Sequence, residues 1–373
     1  MEIHIILYLK KESEYFFRNN FIFAEMMKKS RLVRRTLLAL LAGSILMFRF
    51  SPEAGEWYAR SVYPSLSFLL SGIASLFSFS LCEVFVLGVV AFLLVYPWLA
   101  IRKGGKSWKQ VMGTELELLV WVGAWFYWSW GLNYFRKDIF LRSQVSAVAY
   151  DDTRFHHFLA QYADRLNASF VPESPLNREK TEREIKRLYW TVPEKFGLTL
   201  PQNFQHPKHS IVNSLYSSVG VLGYMGPFFS ESHLNHELLP VQYPFTYAHE
   251  LSHLLGVSSE AEANFWAYRI CTRSADPAIR YSGYFGLLPY VLVNARNLLP
   301  ESEYLDWVQT IRPEIIQELS AKQDYWSARY NRWLGELQAK MYDFYLKGNR
   351  ISSGRKNYAE VIGMILAFSD EKQ

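Results

Sequence analysis

Two uncharged runs, residues 84–101 and 118–135, constrain this chain more than any other feature. Each is 18 residues long, enough as a helix to cross a hydrocarbon layer of about 30 Å. A shorter apolar run, residues 36–48, is flanked by Arg34, Arg35 and Arg49. These arginines can snorkel and lengthen it, and Arg49-Phe50 makes a poor signal cleavage site, so it too reads as a span.

Basic clusters set the orientation. Lys28, Lys29, Arg31, Arg34 and Arg35 precede the first span, and Arg102, Lys103, Lys106 and Lys109 lie between the other two. The positive-inside rule makes both clusters cytoplasmic, so an even number of crossings separates them. Residues 62–81 therefore do not cross. Their alternation of Leu66, Leu69, Leu70, Ile73, Leu76 and Phe77 with serines reads as an amphipathic helix at the outer surface. The expected organisation is an upstream-start extension over residues 1–26 and a membrane region over 27–135. Its spans are at about 34–50, 82–102 and 115–135. An extracytoplasmic domain over 136–373 follows.

Within that last part lies His249-Glu250-Leu251-Ser252-His253. On a helix, positions i and i+4 share a face, so both imidazoles can reach one metal ion, with Glu250 beside them as a general base. Gly256 sits where the chain can turn back. A catalytic zinc takes three protein ligands and leaves one position open. Glu260, just past the turn, is favoured as the third because Asn264 follows it on the same helical face and can bond a ligand imidazole from behind. Glu262, about 200° further round, is the alternative ligand.

This constellation resembles the zincin superfamily of metallopeptidases, and within it the gluzincins, whose second helix carries Glu-x-x-x-Asp. Here Asn264 stands in the Asp position, which removes a charge. From about Met27 onward the chain looks like a bacterial family of membrane-anchored zincin-like proteins. The likeness is carried by Gly223-Tyr224, Pro227-Phe228, the stretch from His249 to Asn264, and Arg280-Tyr281-Ser282-Gly283-Tyr284. It implies a peptidase-like site without specifying a substrate.

The fold expected is mainly α: three transmembrane helices followed by an extracytoplasmic zincin-like α+β domain. The function expected is zinc-dependent hydrolysis of peptide or amide bonds at the outer face of a bacterial cytoplasmic membrane. Glu250 is the base, and Arg280, Tyr281 and Tyr284 are candidate oxyanion donors. The substrate would be a peptide, a protein or a peptidoglycan peptide. The rival is a non-catalytic membrane receptor or scaffold that keeps a zinc-stabilised fold, which would not need Glu250.

The remaining features read as structure. Residues 219–224 suggest an edge strand able to pair with an extended substrate. His233-Leu234-Asn235-His236-Glu237 reads as a solvated loop, His156-His157 as solvent-facing or packing residues on a helix, and 325–345 as the core of one long helix. Cys82 and Cys271 are not expected to pair. Aromatics reach 17%, and a net charge of +5 is too modest to point to nucleic acid.

Overall fold

The computed structural model describes residues 32–148, 151–172, 176–349 and 360–369. The extension read at 1–26, and Lys28, Lys29 and Arg31 of the first basic cluster, lie outside the described residues. The protein is mainly helical.

Helix α1 (Leu32–Phe50) is followed by a bend of 106° into Pro52–Ser75, which comprises α2 (Pro52–Trp57), a π turn over Tyr58–Val62 and α3 (Tyr63–Ser75). Ser51 caps α2, accepting from the Ala54 amide at 3.2 Å, and Pro52 starts it. Helix α4 (Leu81–Arg102) is capped by Ser80. It alone among the described residues is long and apolar enough to cross a bilayer; α1 passes the same test only as half of the bent pair. Leu94, 73% exposed, shows how little protein covers it.

Helix α5 (Trp108–Ser129) opens with a capping box, Ser107 with Gln110. The run 118–135 is not one helix: α5 stops at Ser129 and Gly131–Phe135 forms a buried 3-10 turn. Tertiary bonds draw this turn inward. The Trp130 indole donates to the His253 carbonyl at 2.9 Å, and Ser258 donates to the Asn133 carbonyl at 3.1 Å. Three uninterrupted membrane helices are therefore not evident from length and composition.

Helix α3 buries Tyr63, Ser67, Leu70, Ser71 and Ala74 and exposes Phe68, Leu69, Ile73 and, just past its end, Leu76. Its small and hydroxylated side faces the protein.

The rest of the chain builds α6 (Ile139–Ser143), α7 (Asp152–Ser169), α8 (Arg178–Tyr189), α9 (Asn213–Ser218), α10 (Tyr243–Leu254), α11 (Glu260–Thr272) and α12 (Pro277–Leu298). After these come α13 (Glu301–Gln309), α14 (Pro313–Ser327), α15 (Arg332–Gly348) and α16 (Val361–Ala367). The core is centred on α10, α11 and α12, where Tyr247, Leu251, Trp266, Phe285 and Leu288 are fully buried. The strands among the described residues are β1 (Gly223–Gly226) and β2 (Glu231–Leu234), an antiparallel hairpin pairing Gly223 with Leu234 and Gly226 with Glu231. The α+β expectation shrinks to this hairpin.

Three expectations need correction. The strand starts at Gly223 rather than at 219, because Val219 and Gly220 close a turn, with Gly220 at φ +76°. His233 is not in a solvated loop: it is 1% exposed in β2 and stacked on Tyr224 at 4.1 Å. Residues 325–345 form two helices, and much of the second faces outward. His156 is surface-exposed as read, bonded to Glu303 at 3.1 Å, and both cysteines are free and buried.

Gly55 shows how closely α2 meets the 131–135 turn. A Cβ there would fall inside the Phe135 carbonyl, whereas one at Gly43 would meet nothing within 4 Å. Gly55→Ala is expected to cost about 1–3 kcal/mol, the usual range for overpacking against a fixed partner. Gly43→Ala is expected to be neutral or slightly stabilising, as in a helix interior. Thermal unfolding of the two detergent-solubilised variants checks both.

Candidate metal centre

Helix α10 starts on Pro244 in its first turn and ends at Leu254, where Gly256 at φ +96° reverses the chain. His249 and His253 sit one turn apart near its end. The carbonyls at the end of the helix and in the turn after it are satisfied from segments earlier in the chain. The Tyr63 hydroxyl donates to the Leu254 carbonyl at 2.8 Å, Trp130 to that of His253, and Arg136 Nη1 to that of Gly256 at 3.0 Å. Arg136 is itself held by Glu56 through two bonds of 3.1 Å.

This fixed reversal delivers α11. Ser259 caps it, accepting from the Glu262 amide at 3.3 Å, so Glu260 stands at the first position of the helix. Glu260 Oε2 lies 3.2 Å from His249 Nε2 and 3.6 Å from His253 Nε2, and the two imidazole nitrogens are 3.1 Å apart. Among the described residues these three form the group able to hold a metal ion.

The donor set suits a small divalent cation. Tetrahedral ligands about 2.0–2.1 Å from zinc stand ~3.3 Å from one another, and the three separations bracket that value. The far sides of the rings reinforce this. His253 Nδ1 lies 2.8 Å from the Val257 carbonyl, which can only accept, so Nδ1 carries the hydrogen and Nε2 is left with its lone pair. His249 Nδ1 lies 2.9 Å from Asn264 Oδ1, which accepts in the same way. Two lone pairs facing at 3.1 Å call for a positive species between them.

Titration follows the same logic. Burial pushes the Glu260 carboxyl up, but the two imidazoles outweigh it and hold the group well below the usual range. Burial disfavours charge on His253, yet Glu260 more than offsets this and raises it. A cation in the cavity would compete with protons for the same imidazoles and carboxylate. Glu250 is 5% exposed. Burial lifts its carboxyl to about 7, partly countered by His249 and His253. β1 lies directly over it: a Cβ on Gly223 would be 2.7 Å from Glu250 Cγ and 2.8 Å from Oε1. Only glycine lets the strand come this close.

The other sequence candidates are placed as follows. Glu262 points away from the imidazoles into an ion pair with Arg142, and also accepts from the Trp266 indole at 3.1 Å. Arg280 donates to the Ser274 carbonyl at 3.2 Å and Tyr281 to Glu318 at 2.5 Å. Tyr284 packs on Tyr162 and Tyr268, with ring centroids 6.0 and 5.6 Å away. The hydrogen bonds and stacking of these three lead away from the cluster. A residue not singled out from the sequence is at hand instead: the Tyr342 hydroxyl, from α15, bonds Glu260 Oε1. Trp130 also escapes a reading of the motif, because its bond to His253 is distant in sequence, and Val257 does because it acts through its backbone carbonyl.

The family described as a protein of unknown function, DUF3810, matches residues 58–366, most of the chain, and the chain belongs to it. No curated protein and no solved structure gives a significant match.

The Arg142–Glu262 pair is nearly dry, with side chains 2% and 4% exposed. Glu262→Ala strands the guanidinium and is expected to destabilise the protein by about 3–5 kcal/mol. The loss should be the same size with and without a chelator in the buffer. A loss that vanishes on chelation would mean that Glu262 binds the cation.

Proposed function

We propose that this protein is a membrane-anchored zinc metallopeptidase of zincin type, hydrolysing peptide or amide bonds at the outer face of a bacterial cytoplasmic membrane. The observation that carries the reading is the triangle of His249, His253 and Glu260 donor atoms with the Glu250 carboxyl buried beside it. Zinc held there would polarise the scissile carbonyl and make a water acidic enough to attack it near neutral pH.

The chain's own residues do the rest. Val257 and Asn264 orient the imidazoles from behind. Tyr342 holds one oxygen of Glu260 and so aims the other at the histidines. Glu250 takes the proton of the attacking water and returns it to the leaving nitrogen. Its raised pKa of about 7 suits a group that must both accept and release a proton. β1 runs across Glu250, and β2 covers one of its edges. The other edge offers backbone groups to an extended peptide, which would bring its carbonyl over Glu250.

The directions of the membrane helices support an out–in–out arrangement. Arg34 near the start of α1 pairs with Glu117 of α5. At the other end, Arg49 lies 5.8 Å over the Phe135 ring just past α5, and Trp128 donates to Ser44 at 3.3 Å. α1 and α5 therefore run parallel. α4 returns against α5, with the Tyr96 hydroxyl 3.1 Å from Thr114. With α2 and α3 turned aside by the 106° bend, Arg34 and Arg35 of the first cluster fall on the same side as the second cluster. The metal triangle then lies on the other, built onto the outer ends of the spans.

Glu250→Gln is expected to keep zinc, because Glu250 is no ligand, and to lower hydrolysis of a susceptible peptide at least about a hundredfold. Glu260→Gln should lose most of the metal. Turnover of a peptide library and of cell-wall peptides, with metal content measured in parallel, checks both. A wild type inert on both pools, together with a Glu250→Gln variant that fully complements a deletion strain, would favour the scaffold reading.

The pH profile gives a second test. The base must be ionised, so activity rises with pH through the Glu250 titration. A bound cation lowers that pKa from about 7. The acid limb of kcat/KM should therefore lie at or below about 7 and be absent from the residual activity of Glu250→Gln.

A further inference from the structure

Helix α15 has two unlike sides. Trp333, Leu337, Met341 and Phe344 fall within about 80° of one another on the helix. All four are open to the surroundings, at 71%, 45%, 65% and 82% exposure. Such a contiguous row is too apolar to be an ordinary water-facing surface. The opposite side is covered: Gly335 and Leu346 are buried, and Tyr342 reaches Glu260 of the metal centre.

The end of α15 indicates what covers the open row. Arg49, at the end of α1, donates to the Gly348 carbonyl at 2.9 Å. Tyr127, near the end of α5, donates to Asn349 at 3.0 Å. Both partners sit at the ends of α1 and α5, so, with those helices read as spans, the end of α15 lies at the level where a bilayer would end. Lys340, exposed on the same side as the apolar row, suits contact with lipid phosphates.

We infer that α15 is an in-plane membrane helix: it rests Trp333, Leu337, Met341 and Phe344 in the outer leaflet while its other side holds Tyr342 on Glu260. The inference rests on the proposed reading of α1, α4 and α5 as spans. It makes the lipid surface part of what keeps the metal centre's third carboxylate in place, and it sets the cleft within one helix diameter of the headgroups, about 10 Å. A site so placed suits polypeptide that is itself tethered to the membrane.

The test uses the full chain in nanodiscs of phosphatidylethanolamine and phosphatidylglycerol. Single cysteines replace Met341, Phe344, Leu94 and Arg183 in turn and carry a nitroxide; the two native cysteines are buried, and unsubstituted protein gives the background. Relaxation by oxygen and by a water-soluble nickel chelate reports the surroundings of each label. Labels at 341 and 344 are expected to favour oxygen over nickel, less strongly than the label at 94 in the span. The label at 183 should favour nickel. If 341 and 344 behave like 183, α15 lies in water and the inference fails while the span stands. Protection of both positions from both reagents would mean that protein covers the row, which also overturns it. Nickel access at 94 would overturn the membrane reading itself.

Discussion

The hydrogen bonds that end α10 are the constraint on which the site depends. A helix that stops inside a protein leaves carbonyls that need donors. Here Tyr63 and Trp130 supply them to Leu254 and His253, and Arg136 holds the Gly256 carbonyl just beyond, all from segments earlier in the chain. The reversal at Gly256 is thereby fixed, and it aims the first residue of α11 back at the histidines of α10. The cluster of His249, His253 and Glu260 thus depends on segments far from it in sequence as well as on α10 and α11. The segments that hold Tyr63, Trp130 and Arg136 form its floor, and the hairpin and α15 form its walls.

The charges in that enclosure are arranged to be incomplete. Buried carboxylates are costly unless paired. Glu262 meets its need with Arg142, and Glu56 does so with Arg136. Glu260 has two imidazoles and a tyrosine hydroxyl beside it. Glu250 has less still and is driven toward its neutral form. Two acidic groups, one held ionised and one poised near neutrality, around two inward-facing nitrogen lone pairs make an environment that favours a divalent cation and a mobile proton.

How much of this was legible in the sequence varied with the range of the interaction. The spacing of His249, Glu250 and His253 is local, and the helix they need is local too. The Glu260-to-Asn264 spacing also survives into the structure, since both lie on one face of α11. Composition alone could not tell that the aromatic run 118–135 breaks at Ser129, because the break depends on Trp130 finding the His253 carbonyl. It could not separate a buried His233 from a loop histidine, because its burial depends on the hairpin pairing with Tyr224. Tyr342 was hidden for a related reason. Its helical spacing reads as core, while the facts that matter are which side of α15 is covered and by what.

The central claim is that His249, His253 and Glu260 hold zinc. X-ray absorption at the zinc edge, on the full chain purified without added metal, tests it most directly. The account predicts one zinc per chain with nitrogen and oxygen neighbours at about 2.0–2.1 Å, and outer-shell scattering from two imidazoles that falls to one in His253→Ala. A zinc signal with sulfur neighbours at about 2.3 Å, or imidazole scattering unchanged in His253→Ala, would contradict it.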